Sequence, residues 1–173
     1  LLVRRKGETG KIRTVASPGL NTTANALLRR YFPEVEEVHQ MLFSEIAEAV
    51  ERGDVDAGVL IHEGLFVYER RNLELVADLG KLWESETNLP LPLGAIIVKR
   101  ELGEDIISKF DKHLADSVRY AFANPLVSRD FVKQHAQELE DDVIDKHISL
   151  FVNDYTISLG EEGRKAVEKL IEG

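Results

Sequence analysis

Ile61-His62-Glu63-Gly64 sets an imidazole directly behind a short apolar run, Gly58 to Ile61. In open α/β sheets, ligands gather outside the carboxyl ends of the strands. An imidazole, which titrates near about 6.5 when unperturbed, can take up a proton there at neutral pH. His62 is therefore a candidate general base. The same residues allow a plainer reading, a half-buried histidine satisfied by a backbone carbonyl, which is the commoner state of a lone histidine. Glu63 either orients the ring or begins the next helix.

A second candidate is Ala16-Ser17-Pro18-Gly19-Leu20-Asn21-Thr22-Thr23-Ala24, which runs from a strand end through a glycine turn into a helix. Free N–H groups in the first helical turn, the positive end of the helix dipole and nearby hydroxyls together favour a carboxylate or phosphate. The alternative is an ordinary N-cap by Asn21 or Thr22, and the two roles are compatible. A third segment, Leu89-Pro90-Leu91-Pro92-Leu93-Gly94, carries two prolines that stiffen it. It reads either as a fixed connection between lobes or as an apolar wall against an aromatic ligand.

Other chemistries lack their residues. There is no cysteine, which excludes disulfides, thiolate catalysis and a cysteine-based zinc site, and which fits a reducing cytoplasm. His39, His113, His135 and His147 form no metal-binding histidine pair, so a metal site is not expected. The acids Glu138, Glu140, Asp141, Asp142 and Asp145 lack the glycine and the alternation of a calcium loop. They suit a solvated helix start. No glycine-rich dinucleotide fingerprint, phosphate-loop lysine or serine elbow occurs. With 22 basic against 31 acidic side chains and a formal charge of −9, long-range attraction to nucleic acid is absent. No stretch approaches the ~18 apolar residues of a membrane helix. Leu1-Leu2-Val3-Arg4-Arg5 reverses the order of a secretory signal and is read as an interior strand of a longer protein.

The elements that would position these groups follow from periodicity. Ile12–Ala16, Val35–Val38 and Val55–Ile61 read as strands, alternating with helices over Thr22–Tyr31 and Phe43–Arg52. Phe43, Ile46, Ala47 and Val50 share one face of the second helix, and Gly53 follows its end as a stop signal. Ala95–Lys99 makes one more strand. Beyond it four helices are predicted, over Leu102–Ala123, Pro125–Leu139, Asp141–Phe151 and Glu161–Ile171.

Taken in order, Ser17-Pro18-Gly19 with Thr22-Thr23-Ala24, then Val55 to Glu63, then Leu89 to Ile96, resemble the 1,4-dihydroxy-6-naphthoate synthase family. His135-Ala136-Gln137-Glu138-Leu139 and Gly160-Glu161-Glu162-Gly163 extend that likeness through nearly the whole length. The resemblance implies an α/β chain with the two-lobed, type II periplasmic solute-binding-protein-like fold, its mixed sheets flanked by helices and the N-terminal part of its first lobe missing. On that scheme residues 1–9 cross from the first lobe, 10–93 form the second α/β lobe, and 94–173 are a return strand and helices completing the first. It implies a cytoplasmic, cofactor-independent lyase that converts cyclic dehypoxanthinyl futalosine to 1,4-dihydroxy-6-naphthoate in menaquinone biosynthesis. His62 falls on the proposed base, and Thr22, Thr23 and Ala24 fall on contacts to the substrate carboxylate. The same lobes are shared by chorismate dehydratase of that pathway and by non-catalytic solute-binding proteins, the two alternatives.

Overall fold

Stop signals and pleat alternation explain most of the architecture of the computed structural model, which describes residues 1–62, 64–136 and 140–172. The chain divides into two compact units, Leu1–Leu91 and Pro92–Gly173. The first holds strands β1 (Leu2–Arg5), β2 (Thr14–Ser17), β3 (Glu37–Gln40), β4 (Ala57–Val59) and β5 (Leu73–Ala77). Its helices are α1 (Thr23–Tyr31), α2 (Phe43–Arg52), the short α3 (Gly64–Val67) and α4 (Leu79–Thr87).

The strands form one mixed sheet in the order β3-β2-β4-β1-β5. β2 runs parallel to β3 and β4, whereas β1 is antiparallel to both β4 and β5. Thus the expected crossing segment at residues 1–9 supplies an interior strand, and the sheet is mixed, as the resemblance implies. One face is covered by α2, whose Ile46, Ala47, Ala49 and Val50 pack with Val3 and Ala16. Alternation sends Leu2, Val15 and Val59 to the other face, and they are as deeply buried as Leu28 of α1 and Trp83 of α4.

Gly58 decides how closely α2 can lie. A Cβ there would stand 2.5 Å from Ile46 Cγ2 and 2.8 Å from Val50 Cγ2, so only glycine admits the helix at this height. α2 ends where Gly53 turns left-handed (φ 78°) and returns its N–H to Ala49 and Val50 carbonyls. At the amino ends of β2 and β4 the Asp56 carboxylate accepts the N–H of Arg13 and Thr14, both at 2.8 Å, and the Thr14 hydroxyl at 3.1 Å. Burial works against charge on Asp56, but these backbone and hydroxyl donors outweigh it and hold the carboxyl below its ordinary value.

The second unit is helical: α5 (Glu104–Ala123), α6 (Arg129–His135), α7 (Asp141–Phe151), α8 (Asp154–Ile157) and α9 (Gly160–Glu172). The helix predicted over Pro125–Leu139 runs only from Arg129 to His135, with Ala136 already extended, and Gln137, Glu138 and Leu139 lie outside the described residues. The strand expected at Ala95–Lys99 is a correction: those residues are irregular, with Ile96 and Ile97 exposed. An apolar run becomes a strand only beside an edge whose N–H and C=O groups it can pair. No described residue of the second unit is in a strand. Among the described residues no helix is long and apolar enough to cross a membrane.

Candidate active site

Register brings the candidate residues to one edge. Ser17 pairs with Gln40 and Ala16 with Gly58, so the parallel strands β3, β2 and β4 finish side by side. The Met41 N–H donates to the Ser17 carbonyl (3.1 Å), extending that row by one residue. Three segments therefore leave the same carboxyl edge: 18–22 into α1, 41–42 into α2, and 60–62 carrying His62.

At the first segment the structure selects Thr22, not Asn21, as the N-cap of α1. Its hydroxyl accepts the Asn25 N–H at 3.2 Å and donates to the Gly19 carbonyl at 2.7 Å. A Cβ on Gly19 would come within 3.0 Å of Thr22 Cγ2, so glycine is what lets the turn fold back so tightly. Because the Thr22 hydroxyl is committed on both sides, the donors left for a ligand are the N–H groups of Thr23 and Ala24 in the first turn, with the Thr23 hydroxyl beside them. Ser17, fully buried, lies beneath, its hydroxyl 3.5 Å from the same Gly19 carbonyl.

Asn25 was not singled out by its sequence context. It is 8% exposed, its Nδ2 donates to the Leu20 carbonyl at 2.8 Å, and its Oδ1 is buried with no hydrogen-bond partner. The amide thus holds a carbonyl dipole of the turn in place just before the anion-favouring helix start. An asparagine on the same stripe as Leu28, three residues on, was the available signal.

His62 lies beyond the end of β4, on the sheet's carboxyl edge. It is exposed rather than half-buried, and its backbone is left-handed (φ 54°), a conformation that costs a residue with a Cβ about 1–2 kcal/mol. Its carbonyl accepts the Leu65 N–H at 3.2 Å, starting the turn into α3. The ring meets Phe43, the first residue of α2, edge-on with centroids 5.2 Å apart and planes at 65°. Periodicity had placed Phe43 on the buried face of α2, yet it is only half-buried and reaches the site. Glu63 lies outside the described residues.

The proline-bearing segment is anchored to α4, because the Trp83 indole donates to the Pro90 carbonyl (3.3 Å) and the Thr87 hydroxyl accepts the Leu89 N–H (3.2 Å). The boundary between the two units falls directly after Leu91. Among the described residues no group of three or more His, Asp or Glu side chains could hold a metal ion.

A five-stranded mixed sheet flanked by helices makes this a mixed α/β protein. Within that class, the chain belongs to the menaquinone biosynthesis family, whose model matches residues 1–173. It is 45% identical over 156 residues to a 1,4-dihydroxy-6-naphtoate synthase of Thermus thermophilus, covering 90% of this chain and 57% of the relative. It is 43% identical over 164 residues to the enzyme of the same name from Streptomyces coelicolor, covering 92% of this chain and 58% of that one. The chain thus spans under two thirds of the length of the curated relatives it matches. The X-ray structure of a protein from Archaeoglobus fulgidus superposes with a TM-score of 0.90 at 33% identity, over 99% of this chain and 64% of that one.

Proposed function

We propose that this chain supplies the base and the carboxylate seat of a 1,4-dihydroxy-6-naphthoate synthase acting on cyclic dehypoxanthinyl futalosine. The reading rests on one conjunction: His62 and the start of α1 share the carboxyl edge of the sheet in a chain 43–45% identical to two enzymes of that name. The N–H groups of Thr23 and Ala24 and the Thr23 hydroxyl hold the substrate carboxylate, while Thr22 sets the turn that presents them. Holding the anion fixes the reacting carbon opposite the imidazole. His62 then removes a proton, and the electrons released open the ring and expel the sugar-derived fragment as the new aromatic ring forms.

The whole protein is read as two-lobed, of the periplasmic solute-binding type and cytoplasmic. Residues 10–93 form its second lobe, and 94–173 complete a first lobe whose remainder lies in sequence that the relatives have beyond this match. The exposed Ile96, Ile97, Phe122, Leu126 and Phe131 of the second unit support this reading, since a contiguous chain of that length would cover them.

The test is turnover of cyclic dehypoxanthinyl futalosine by the intact protein and its His62→Ala variant. We expect naphthoate from the wild type and a loss of about 10²–10⁴-fold in the variant with binding retained. A folded wild type that forms no naphthoate but dehydrates chorismate, or only binds a small anion, overturns the assignment.

A further inference from the structure

Two observations about His62 are not used by the proton transfer itself: its left-handed backbone and its edge-on contact with Phe43. A residue at the end of a strand with φ 54° has its Cβ aimed by the backbone, and its two side-chain torsions decide which way the ring faces. A base with a freely turning ring spends most of its time misaligned with the carbon acid it must reach. Phe43, edge-on to the ring at 5.2 Å, is placed to help set its direction.

Phe43 is itself held from below. It is the first residue of α2, and the Leu42 preceding it gives no side-chain cap and is exposed. The position of Phe43 therefore comes from the body of the helix, and the helix is seated on Gly58, against Ile46 and Val50. Gly58 lies on β4, the strand that leads to His62. One strand thus fixes both partners: its glycine sets the height of α2 and with it Phe43, while its carboxyl end delivers His62 to the same edge.

We propose that Phe43 is a positioning residue for His62, acting through its ring edge to hold the imidazole toward the ligand edge of the sheet. The proposal rests on the reading of His62 as the base. Phe43 touches no substrate in this scheme, so its removal lowers kcat and leaves KM nearly alone, whereas a residue of the carboxylate seat changes KM.

The experiment is a double-mutant cycle in the intact protein, with Phe43→Leu and Phe43→Tyr each placed on the wild type and on His62→Ala. Turnover of cyclic dehypoxanthinyl futalosine and the thermal midpoint are measured for each. The expected result is a fall in kcat of about 10- to 100-fold for Phe43→Leu, KM within about twofold, and near-wild-type turnover for Phe43→Tyr, which restores the ring. On the His62→Ala background neither change has a further effect. Equal losses on both backgrounds, or a Phe43→Leu enzyme as fast as wild type, overturn the proposal. A second readout needs no turnover. The proton NMR signal of His62 Cε1–H in the wild type is displaced by the Phe43 ring current, and the displacement disappears in Phe43→Leu. An undisplaced signal in the wild type overturns the contact even if Phe43→Leu fails to fold. Absence of turnover with the displaced signal present overturns the function proposed for the site while leaving the contact in place.

Discussion

The two units solve the problem of burial differently. In Leu1–Leu91 a sheet is covered on both faces, and Leu2, Val3, Val15, Ile46, Val50 and Trp83 are almost wholly removed from water. In Pro92–Gly173 the buried residues among those described are Ala115, Val118, Val143, Ile144, Gly163 and Ala166, while Ile97, Leu126 and Val127 stand 70–87% exposed. A sheet with helices on both sides makes a closed core from short segments. Amphipathic helices close a core only when their apolar stripes find partners. The residues proposed for the chemistry lie in the unit that has a closed core, where strand register can fix three loops against one another.

That contrast can be broken by mutation, with the effects falling in order. Trp83→Ala removes a buried indole and the donor that anchors Pro90, and should destabilise the first unit by about 3–5 kcal/mol in urea unfolding followed by circular dichroism. Gly58→Ala forces Ile46 and Val50 aside and should cost about 1–3 kcal/mol, read from the fluorescence of Trp83, the single tryptophan. Asp56→Ala strands the N–H groups of Arg13 and Thr14 and should cost about 1–3 kcal/mol at neutral pH. Because the Asp56 carboxyl is held below its ordinary value of 3.8, its contribution is complete above that pH and is lost as pH falls through the lower folded value. The difference between wild type and Asp56→Ala should therefore shrink in acid below about pH 4. Ile97→Ser, at an 87% exposed position, should change the stability of this 173-residue chain by less than about 0.5 kcal/mol. If it costs as much as Gly58→Ala, the second unit is better packed than its exposure indicates and the contrast fails.

How far the sequence could be read follows the same division. α2 was legible to the residue, because its apolar face and Gly53 mark both its packing and its end. α7 matched as well, since Asp141 and Asp142 announce a helix start. β5 and α4 were passed over: in Leu73–Ala77 only Leu73 is buried, as suits an edge strand with little apolar contrast. Ala95–Lys99 misled for the opposite reason, being apolar enough for a strand but without a ladder to join. At the site, residue types pointed to Thr22 and His62, but pairing put them on one edge. Nothing in Ile61-His62-Glu63-Gly64 announces a left-handed histidine, and the glycine in that run would have been the natural choice for positive φ. Phe43 was hidden because helical periodicity assigns it a face and says nothing of what lies past the end of the helix.

The place of β1 inside the sheet, between β4 and β5, has a bearing on when this unit can fold. Leu2 pairs with Val59 on one side and with Ala77 on the other, so an interior strand comes from residues 2–5 and its partners arrive some 50 to 75 positions later. On a ribosome β2, α1 and β3 can assemble as they emerge, but the slot between β4 and β5 stays open until residue 77 is free of the exit tunnel. Non-local closure of this kind is slow. Until then the growing chain exposes two unpaired strand edges, the stage at which a chaperone would find most to hold.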